Sequence, residues 1–166
     1  MSNRTAFVPY EERYLEQVRG TYNHFVAHTT VSFDLHPYTP EQMKALIEPL
    51  SDIYRSYVVL HEGEYAGYIM LTQHKKRPAF NVTGEMTIYL EPAFTGKGIG
   101  REAMAFLEET ARELGFHSLI ATICTENESS VALFAKLGYK QVSHYVEIAY
   151  KFDRWLDLVC LQKILN

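Results

Sequence analysis

A glycine-rich turn carries the clearest chemical signal in this sequence. The segment Thr95-Gly-Lys-Gly-Ile-Gly-Arg101 follows a β-rich run and opens a helical pattern. Backbone N–H groups at a helix start have no internal partner, and the helix dipole adds partial positive charge there. Glycine lets the backbone approach an anion, and Lys97 and Arg101 add full charges. The turn therefore predicts a phosphate or pyrophosphate site, and the alternative is a tight turn that only precedes a helix.

The spacing of these glycines excludes two common nucleotide-binding motifs. A P-loop requires Gly-x-x-x-x-Gly-Lys-Ser/Thr, which the sequence lacks. A Rossmann fingerprint belongs to the first βαβ unit of its domain, whereas this turn follows several predicted strands and helices and has a different glycine spacing. We therefore expect the anion site to belong to another α/β fold.

Two further groups of residues give weaker signals. Lys75, Lys76 and Arg77 form a basic loop, in which Arg77 could bind a substrate carboxylate through a bidentate contact. A solvated turn is an equally good interpretation of that loop. His24 and His28 have the four-residue spacing of metal ligands on a helix, but no third and fourth ligands lie near them in sequence. We therefore expect no metal site.

Length and composition indicate one ordinary globular domain over residues 1–166. A net charge of −4 disfavours a general nucleic-acid-binding protein. The sequence has neither an apolar run long enough for a membrane helix nor a signal-peptide pattern. Cys124 and Cys160 lie in separate apolar runs and are expected to be buried free thiols. These features predict a cytoplasmic protein without membrane or nucleic-acid partners.

The apolar periodicity predicts eleven elements in the order β-α-α-β-β-β-α-β-α-β-β. The predicted strands are 5–8, 57–60, 65–71, 83–90, 119–124, 140–150 and 155–164, and the predicted helices are 10–25, 39–50, 98–114 and 127–137. Thr39 and Gln42 form a capping box at the second helix start, and Gly115 is a natural stop for the third. The helix after the glycine turn is long enough to join parallel strands. The fold class is α/β, with a mixed central sheet flanked by about four helices.

Several spaced motifs resemble the GNAT superfamily of acetyltransferases, and within it the phosphinothricin and methionine sulfone/sulfoximine N-acetyltransferase group. The glycine turn resembles that family's pyrophosphate loop, Arg/Gln-x-x-Gly-x-Gly/Ala. The other motifs, in chain order, are Tyr22-Asn23, Thr30-Val-Ser-Phe33, Gly67-Tyr68, Glu85-Met-Thr-Ile-Tyr-Leu90, Asn127-Glu-Ser-Ser130, Lys136-Leu-Gly-Tyr139, and Lys151-Phe-Asp-Arg-Trp-Leu-Asp157 with Gln162. The resemblance implies a GNAT domain that transfers acetyl from acetyl-CoA to an amino group.

The resemblance also implies roles for particular residues. The strand end would hold the pantetheine arm and thioester, the loop N–H groups would hold the pyrophosphate, and the start of the following helix would bond the cofactor. The residues expected to bind acetyl-CoA are Ile88, Tyr89, Leu90, Lys97, Gly98, Ile99, Gly100, Arg101, Asn127 and Ser130. The residues expected on the acceptor side are Tyr22, Thr30, Phe33, Arg77 and Glu85. For Tyr22 and Phe33, core packing is at least as good an interpretation.

The expected chemistry is the attack of an amine on a thioester. Because an aliphatic amine like that of lysine titrates near ~10.4, the site must first remove a proton from an ammonium group. Glu85 is the candidate catalytic base, directly or through a water, since it precedes the segment expected to hold the thioester. Its other interpretation is a solvated strand residue or an ion-pair partner. The N–H of Leu90 is the candidate for polarising the thioester carbonyl.

Three departures from the family pattern concern the loop, the general acid and the substrate. Thr95 replaces the usual Arg or Gln, although the backbone does most of the work in such a loop. Phe134 stands where many members carry a tyrosine that protonates the leaving thiolate, and phenylalanine cannot donate a proton. Phe80 and Asn81 replace residues that often read Tyr and Arg beside the substrate. The departures at Phe80 and Asn81 therefore bear on the substrate rather than on the reaction.

Three functional hypotheses follow. The first is acetylation of a small amino-acid-like compound of the phosphinothricin or methionine sulfone/sulfoximine type. The second keeps the cofactor but changes the acceptor to a protein N-terminus, polyamine or aminoglycoside. The third is an acetyl-CoA-binding module without activity. The resemblance further implies a homodimer.

Overall fold

The computed structural model describes residues 4–166 as one seven-stranded sheet with four α-helices. The strands are β1 (Thr5–Pro9), β2 (Arg55–His61), β3 (Glu64–Gln73), β4 (Thr83–Leu90), β5 (Ser118–Cys124), β6 (Lys140–Lys151) and β7 (Arg154–Ile164). The helices are α1 (Leu15–His28), α2 (Pro40–Ile47), α3 (Ile99–Glu113) and α4 (Glu128–Lys136). The predicted order of elements and the mixed α/β fold class are confirmed.

The strands lie in the order β1-β2-β3-β4-β5-β7-β6. Every neighbouring pair is antiparallel except β4 and β5, which are parallel and are joined through α3. The prediction that a helical crossover after the glycine turn joins parallel strands is therefore confirmed.

The parallel pair separates soon after it forms. β4 and β5 are paired only over Thr83–Glu85 and Ser118–Ile120. β4 then continues to Leu90 and β5 to Cys124 without pairing to each other. Their facing backbone groups are left without strand partners, so this gap in the sheet can accept a ligand that bonds to main chain.

The two faces of the sheet carry separate apolar cores, because successive strand residues point to opposite sides. On one face, Tyr68 and Met70 pack with Val18 and other residues of α1 and α2. On the other face, Ile69 and Leu71 pack with residues of α3. The gap between β4 and β5 therefore lies between two layers of helices.

Three helix boundaries differ from the sequence prediction by three residues or more, and one of them is the end of α1, which lies at His28 rather than at residue 25. α1 begins at Leu15 rather than residue 10, because Tyr10 continues the extended chain through a backbone hydrogen bond to Ser56 and a 3₁₀ turn follows. α2 ends at Ile47 rather than residue 50. The residue before a proline avoids helical geometry, and Glu48, which precedes Pro49, is extended. The capping box of Thr39 and Gln42 is present as predicted.

The two cysteines are free thiols in different surroundings. Cys124 is buried, as predicted, but Cys160 is only half-buried, so the prediction for it was wrong. Cys160 lies on β7 between Thr122 of β5 and Ser143 of the edge strand β6, where one face of the sheet has little cover. Among residues 4–166, no helix is long and apolar enough to cross a membrane.

Candidate active site

The gap between β4 and β5 opens into a cleft of about 540 Å³. Its wall combines strand, helix and loop residues from both faces of the sheet. The lining residues are Tyr22, Val31, Ser32, Phe33, Asp34, Met86, Thr87, Ile88, Tyr89, Ala121, Thr122, Ile123, Asn127, Ser130, Phe134, Ile148, Ala149 and Leu158. Six of the predicted cofactor or acceptor residues line it, and they come from four separate segments of the sequence: Tyr22, Phe33, Ile88, Tyr89, Asn127 and Ser130.

The glycine turn lies beside one end of this cleft. Gly98 is the N-cap of α3 and has a left-handed backbone (φ +80°), which favours glycine. Gly100 packs next to Ile88 of β4 and Leu133 of α4, so the helix start adjoins the end of β4. Ile99 points into the core and can offer a ligand only its backbone.

The charges predicted around this turn are available to solvent. Lys97 and Arg101 are both exposed, and the Lys97 ammonium lies 5.5 Å from the centre of the Phe94 ring. The first helical hydrogen bond of α3 is donated by the Glu102 N–H to the Gly98 carbonyl oxygen, at 3.2 Å. The preceding N–H groups therefore have no helical acceptor and, with the two cations, suit an anion.

The start of α4 forms a second polar end of the cleft. The Asn127 side chain caps the helix by accepting from the Ser130 N–H and also donates to Ser130 Oγ at 3.0 Å. Both residues line the cleft. Phe134, one turn further, is 2% exposed and packs edge-on against Tyr139. An apolar ring therefore occupies the position at which a proton donor would be expected.

The opposite side of the cleft is aromatic and contains one carboxylate. The buried Tyr22 hydroxyl donates to Asp34 Oδ2, and Ser32 Oγ donates to the Tyr22 hydroxyl at 3.1 Å. Burial is the main cause that raises the pKa of Tyr22, so this side chain stays a neutral phenol. Phe33 lies beside them and is partly exposed. The prediction that Tyr22 and Phe33 line a pocket is consistent with this arrangement.

Sequence reasoning missed Asp34. It follows the Thr30–Phe33 motif directly, and its Oδ2 is fixed by Tyr22. Asp34 could have been predicted from its position, because it directly follows a motif that was assigned to the acceptor side.

A bulge in β6 supplies another part of the wall. Register between β6 and β7 is irregular from Tyr145 to Ala149, and Glu147 has a left-handed backbone (φ +51°). The Glu147 N–H donates to Asp157 Oδ1 at 2.8 Å, which is the largest cause that lowers the Asp157 pKa. The bulge brings Ile148 and Ala149 into the cleft wall.

Glu85 lies in an adjoining groove rather than in the cleft lining. This groove has a volume of about 390 Å³ and shares Thr87 with the cleft. The Glu85 side chain is 28% exposed, and its Oε1 lies 2.7 Å from His74 Nδ1. Because Glu85, Thr87 and Tyr89 alternate along β4, their side chains share the face that carries α1 and α2.

Besides Glu85, two predicted acceptor residues, Thr30 and Arg77, do not line the cleft. The buried Thr30 hydroxyl donates to Glu126 Oε1 at 2.7 Å, because a buried hydroxyl needs a hydrogen-bond partner. Glu126 in turn binds Arg154. Arg77 is exposed and directly precedes a short 3₁₀ turn at Pro78–Phe80, to which its side chain makes no capping hydrogen bond. A role for Thr30 or Arg77 in acceptor binding stays a prediction.

His24 and His28 lie on α1 with their rings 5.0 Å apart. Within residues 4–166, no group of three or more His, Cys, Asp or Glu side chains is arranged to hold a metal ion.

The overall fold matches those of solved acetyltransferases. The family model for GNAT acetyltransferases matches residues 19–139. This chain belongs to the GNAT family. A phosphinothricin N-acetyltransferase of Streptomyces coelicolor is 32% identical to this GNAT protein over 161 residues, covering 95% of this chain and 94% of that protein. The chain is accordingly an acetyl-CoA-dependent N-acetyltransferase.

Two further relatives extend the comparison of this GNAT enzyme. An L-methionine sulfoximine/L-methionine sulfone acetyltransferase of Salmonella typhimurium is 31% identical over 146 residues, covering 87% of this chain and 85% of that protein. The crystal structure of a phosphinothricin acetyltransferase from Sinorhizobium meliloti in complex with acetyl-CoA matches with a TM-score of 0.93 at 26% identity, covering 99% of this chain and 90% of that one. The GNAT fold and acetyl-CoA as co-substrate therefore apply to this chain.

Proposed function

We propose that this GNAT enzyme acetylates the amino group of a small amino-acid-like compound of the phosphinothricin or methionine sulfone/sulfoximine type. The observation that carries the proposal is a cleft that has an aromatic wall on one face of the sheet and whose residue Ile88 adjoins the start of α3 on the other face. The curated relatives with those names cover most of this chain and support the acceptor class.

Residues along one side of the cleft fit acetyl-CoA. We assign the pyrophosphate to the backbone N–H groups of Lys97–Arg101. We assign the arm that ends in the thioester to the backbone of Ile88, Tyr89 and Leu90, which has no strand partner on the β5 side. Asn127 and Ser130 are assigned to the cofactor at the start of α4. When bound, acetyl-CoA supplies the thioester that accepts the amine. The exposed cations near the loop suit its phosphates.

The acceptor side supplies a carboxylate and hydrogen-bond donors. We assign Glu85 to take the proton from the acceptor ammonium, directly or through a water in the groove that shares Thr87 with the cleft. The Leu90 N–H is assigned to polarise the carbonyl of the bound thioester. Tyr22 and Phe33 provide the aromatic wall against which the acceptor side chain packs.

The leaving thiol receives no proton donor from Phe134 in this proposal. Its ring is buried in the cleft wall and has no donor group. A typical thiol has a pKa of about 8.5, so the thiol can depart as a thiolate. Phe134 then acts only by shaping an apolar wall.

One observation favours a second class of acceptor, a cationic amine such as a polyamine or aminoglycoside. Among the described residues, the cleft lining contains Asp34 but no Lys, Arg or His. The adjoining groove contains Glu48 and Glu85 and likewise no cation. A substrate carboxylate would therefore need a cation from outside these walls, and Arg77 from the exposed loop is the sequence candidate.

We also propose that the enzyme acts in the cytoplasm as a homodimer. The two C-terminal strands and the turn between them expose an apolar surface, which supports self-association. Its exposed members are Val142, Tyr145, Val146, Ile148, Tyr150, Phe152 and Trp155.

The first test measures CoA thiol release from acetyl-CoA with a panel of amines. The panel holds phosphinothricin, methionine sulfone, methionine sulfoximine, ordinary amino acids, spermidine, an aminoglycoside and a peptide N-terminus. Fast turnover of the first three supports the proposed acceptor, whereas turnover of only the polyamine or aminoglycoside supports the second. If no compound of either group is acetylated, both proposed acceptor classes are contradicted.

Glu85→Gln tests the proton-transfer role. We expect kcat to fall by roughly 10²-fold or more, because general base catalysis contributes on that scale. Glu48→Gln is the matched control, since Glu48 lines the same groove and is exposed. Acetyl-CoA binding, followed by isothermal titration, should be unchanged in both variants. Full turnover in Glu85→Gln would remove Glu85 from the mechanism.

A further inference from the structure

We propose that His74 is the positioning residue for Glu85, holding one carboxylate oxygen so that the other faces the acceptor amine. The inference rests on the proposed role of Glu85. His74 belongs to none of the sequence motifs that resemble the family.

Strand register brings the two side chains together. β3 and β4 are antiparallel, with Thr72 opposite Glu85 and Gln73 opposite Gly84. His74 comes directly after the end of β3, so it lies beside the start of β4. The two residues are eleven positions apart in sequence, yet His74 Nδ1 lies 2.7 Å from Glu85 Oε1.

The contact fixes the tautomer of the imidazole. An ionised carboxylate can only accept hydrogen bonds, so Nδ1 must carry the proton that is shared with Oε1. The side chains are 18% and 28% exposed, so the bond is partly shielded from water. A hydrogen bond to a charged group in such a setting is stronger than a neutral one.

Phe80 limits the movement of the imidazole. Its ring centre lies 6.0 Å from that of His74, with the planes inclined by 65°. The imidazole is therefore confined between an aromatic ring and the carboxylate. Among the described residues, the His74 contact is the one hydrogen bond to the Glu85 carboxylate. Oε2 is consequently the oxygen left to receive a proton from the acceptor.

The kinetic test compares His74→Ala, His74→Asn and Glu85→Gln with acetyl-CoA and methionine sulfone as substrates. Small misplacements of a catalytic group can cost up to about 10²-fold in rate. We expect His74→Ala to lower kcat by about 10-fold or more while the KM for acetyl-CoA stays within about twofold. His74→Asn should recover most of the rate, because its amide N–H can stand near the position of Nδ1–H.

A double variant separates a positioning role from an independent one. If His74 acts through Glu85, adding His74→Ala to Glu85→Gln should cause no further loss. Losses that add in the double variant would overturn the inference about His74 but not the role of Glu85. Wild-type kcat in His74→Ala would do the same if Glu85→Gln is impaired. Full turnover in Glu85→Gln would instead overturn the proposed function on which it rests.

A spectroscopic measurement tests the hydrogen bond between His74 and Glu85 even if methionine sulfone is not a substrate. Nitrogen-15 NMR of the histidines, assigned through His74→Asn, reports which ring nitrogen carries the proton. The inference requires the Nδ1–H form for neutral His74 in the wild type and loss of that preference in Glu85→Ala. The Nε2–H form in the wild type would contradict it.

Discussion

Individual side chains at this site act mainly by fixing others. Asn127 shows this most simply, because it caps α4 and also holds Ser130, both within the cleft wall. Tyr22 fixes Asp34 in the same way on the opposite side. Asn127, Ser130, Tyr22 and Asp34 are therefore restrained before any ligand arrives, which favours precise placement of a bound substrate.

Asn127→Ala should weaken both the fold and cofactor binding. Loss of an N-cap costs roughly 1 kcal/mol in the free energy of unfolding. The KM for acetyl-CoA should rise, since the Ser130 hydroxyl loses its partner and the proposed cofactor contact disappears. Urea unfolding and steady-state kinetics measure the two effects. Ser129→Ala is the control, because Ser129 is exposed and only donates to Asn127; equal effects in both variants would contradict the assignment.

Elements create the site through the places where regular pairing stops. The separation of β4 from β5 opens the cleft, and the β6 bulge closes part of its wall. β3 constrains β4 from the other side, because Gly67 lies opposite Leu90. The position of the β4 backbone is therefore set by how closely β3 can approach it.

Gly67→Ala should displace the end of β4. A Cβ at Gly67 would lie 2.1 Å from the Tyr89 carbonyl oxygen, and its φ of +153° is unfavourable for a side chain. We expect a loss of about 1–3 kcal/mol in the free energy of unfolding and a lower kcat. Gly20→Ala in α1 is the control, since a Cβ there meets nothing within 4 Å. Thermal unfolding and kinetics measure the difference, and wild-type values for Gly67→Ala would refute the constraint.

The cluster of Thr30, Glu126 and Arg154 should make stability depend on pH. Arg154, and then Thr30, lower the pKa of Glu126 to about 2. A depressed carboxyl pKa contributes stability above the unfolded value and loses it as pH falls toward the folded value. The midpoint of thermal unfolding should therefore be lower in Glu126→Gln than in the wild type at pH 7, and the gap should narrow between about pH 4.5 and 3. A difference in unfolding midpoint that does not change with pH would contradict a stabilising role of the ionised Glu126.

At the scale of the whole molecule, the sheet ends in an apolar surface. β6 is an edge strand, and most of its side chains are exposed, apolar ones included. Trp155 of β7 is 61% exposed and packs edge-on with Tyr150. Edge strands with such surfaces are prone to pair with another chain, so the C-terminal hairpin is the expected contact of the proposed homodimer.

Trp155→Lys should shift the enzyme toward the monomer. Light scattering of the wild type should give twice the 19.2 kDa chain mass, and the variant should approach the chain mass because a charge replaces a large apolar contact. Leu50→Lys is the control, since Leu50 is 71% exposed and lies outside this surface. A monomeric wild type would reject the homodimer.

Local signals in the sequence determined the parts of this protein that depend on neighbouring residues. The capping box at Thr39 predicted a helix start, and the apolar periods predicted the order of elements. The glycine-rich segment Thr95–Arg101 predicted an anion site. These signals are local, because backbone preferences and side-chain spacing act within a few residues. The family resemblance extended these to acetyl transfer.

Tertiary structure alone decided which distant side chains meet. His74 contacts Glu85 through strand register, Thr30 turns to Glu126 rather than the cleft, and the gap after Glu85 follows from how β4 and β5 diverge. Register and divergence depend on the packing of two helical layers against one sheet. No local pattern encodes that packing, because it is a property of residues far apart in the chain.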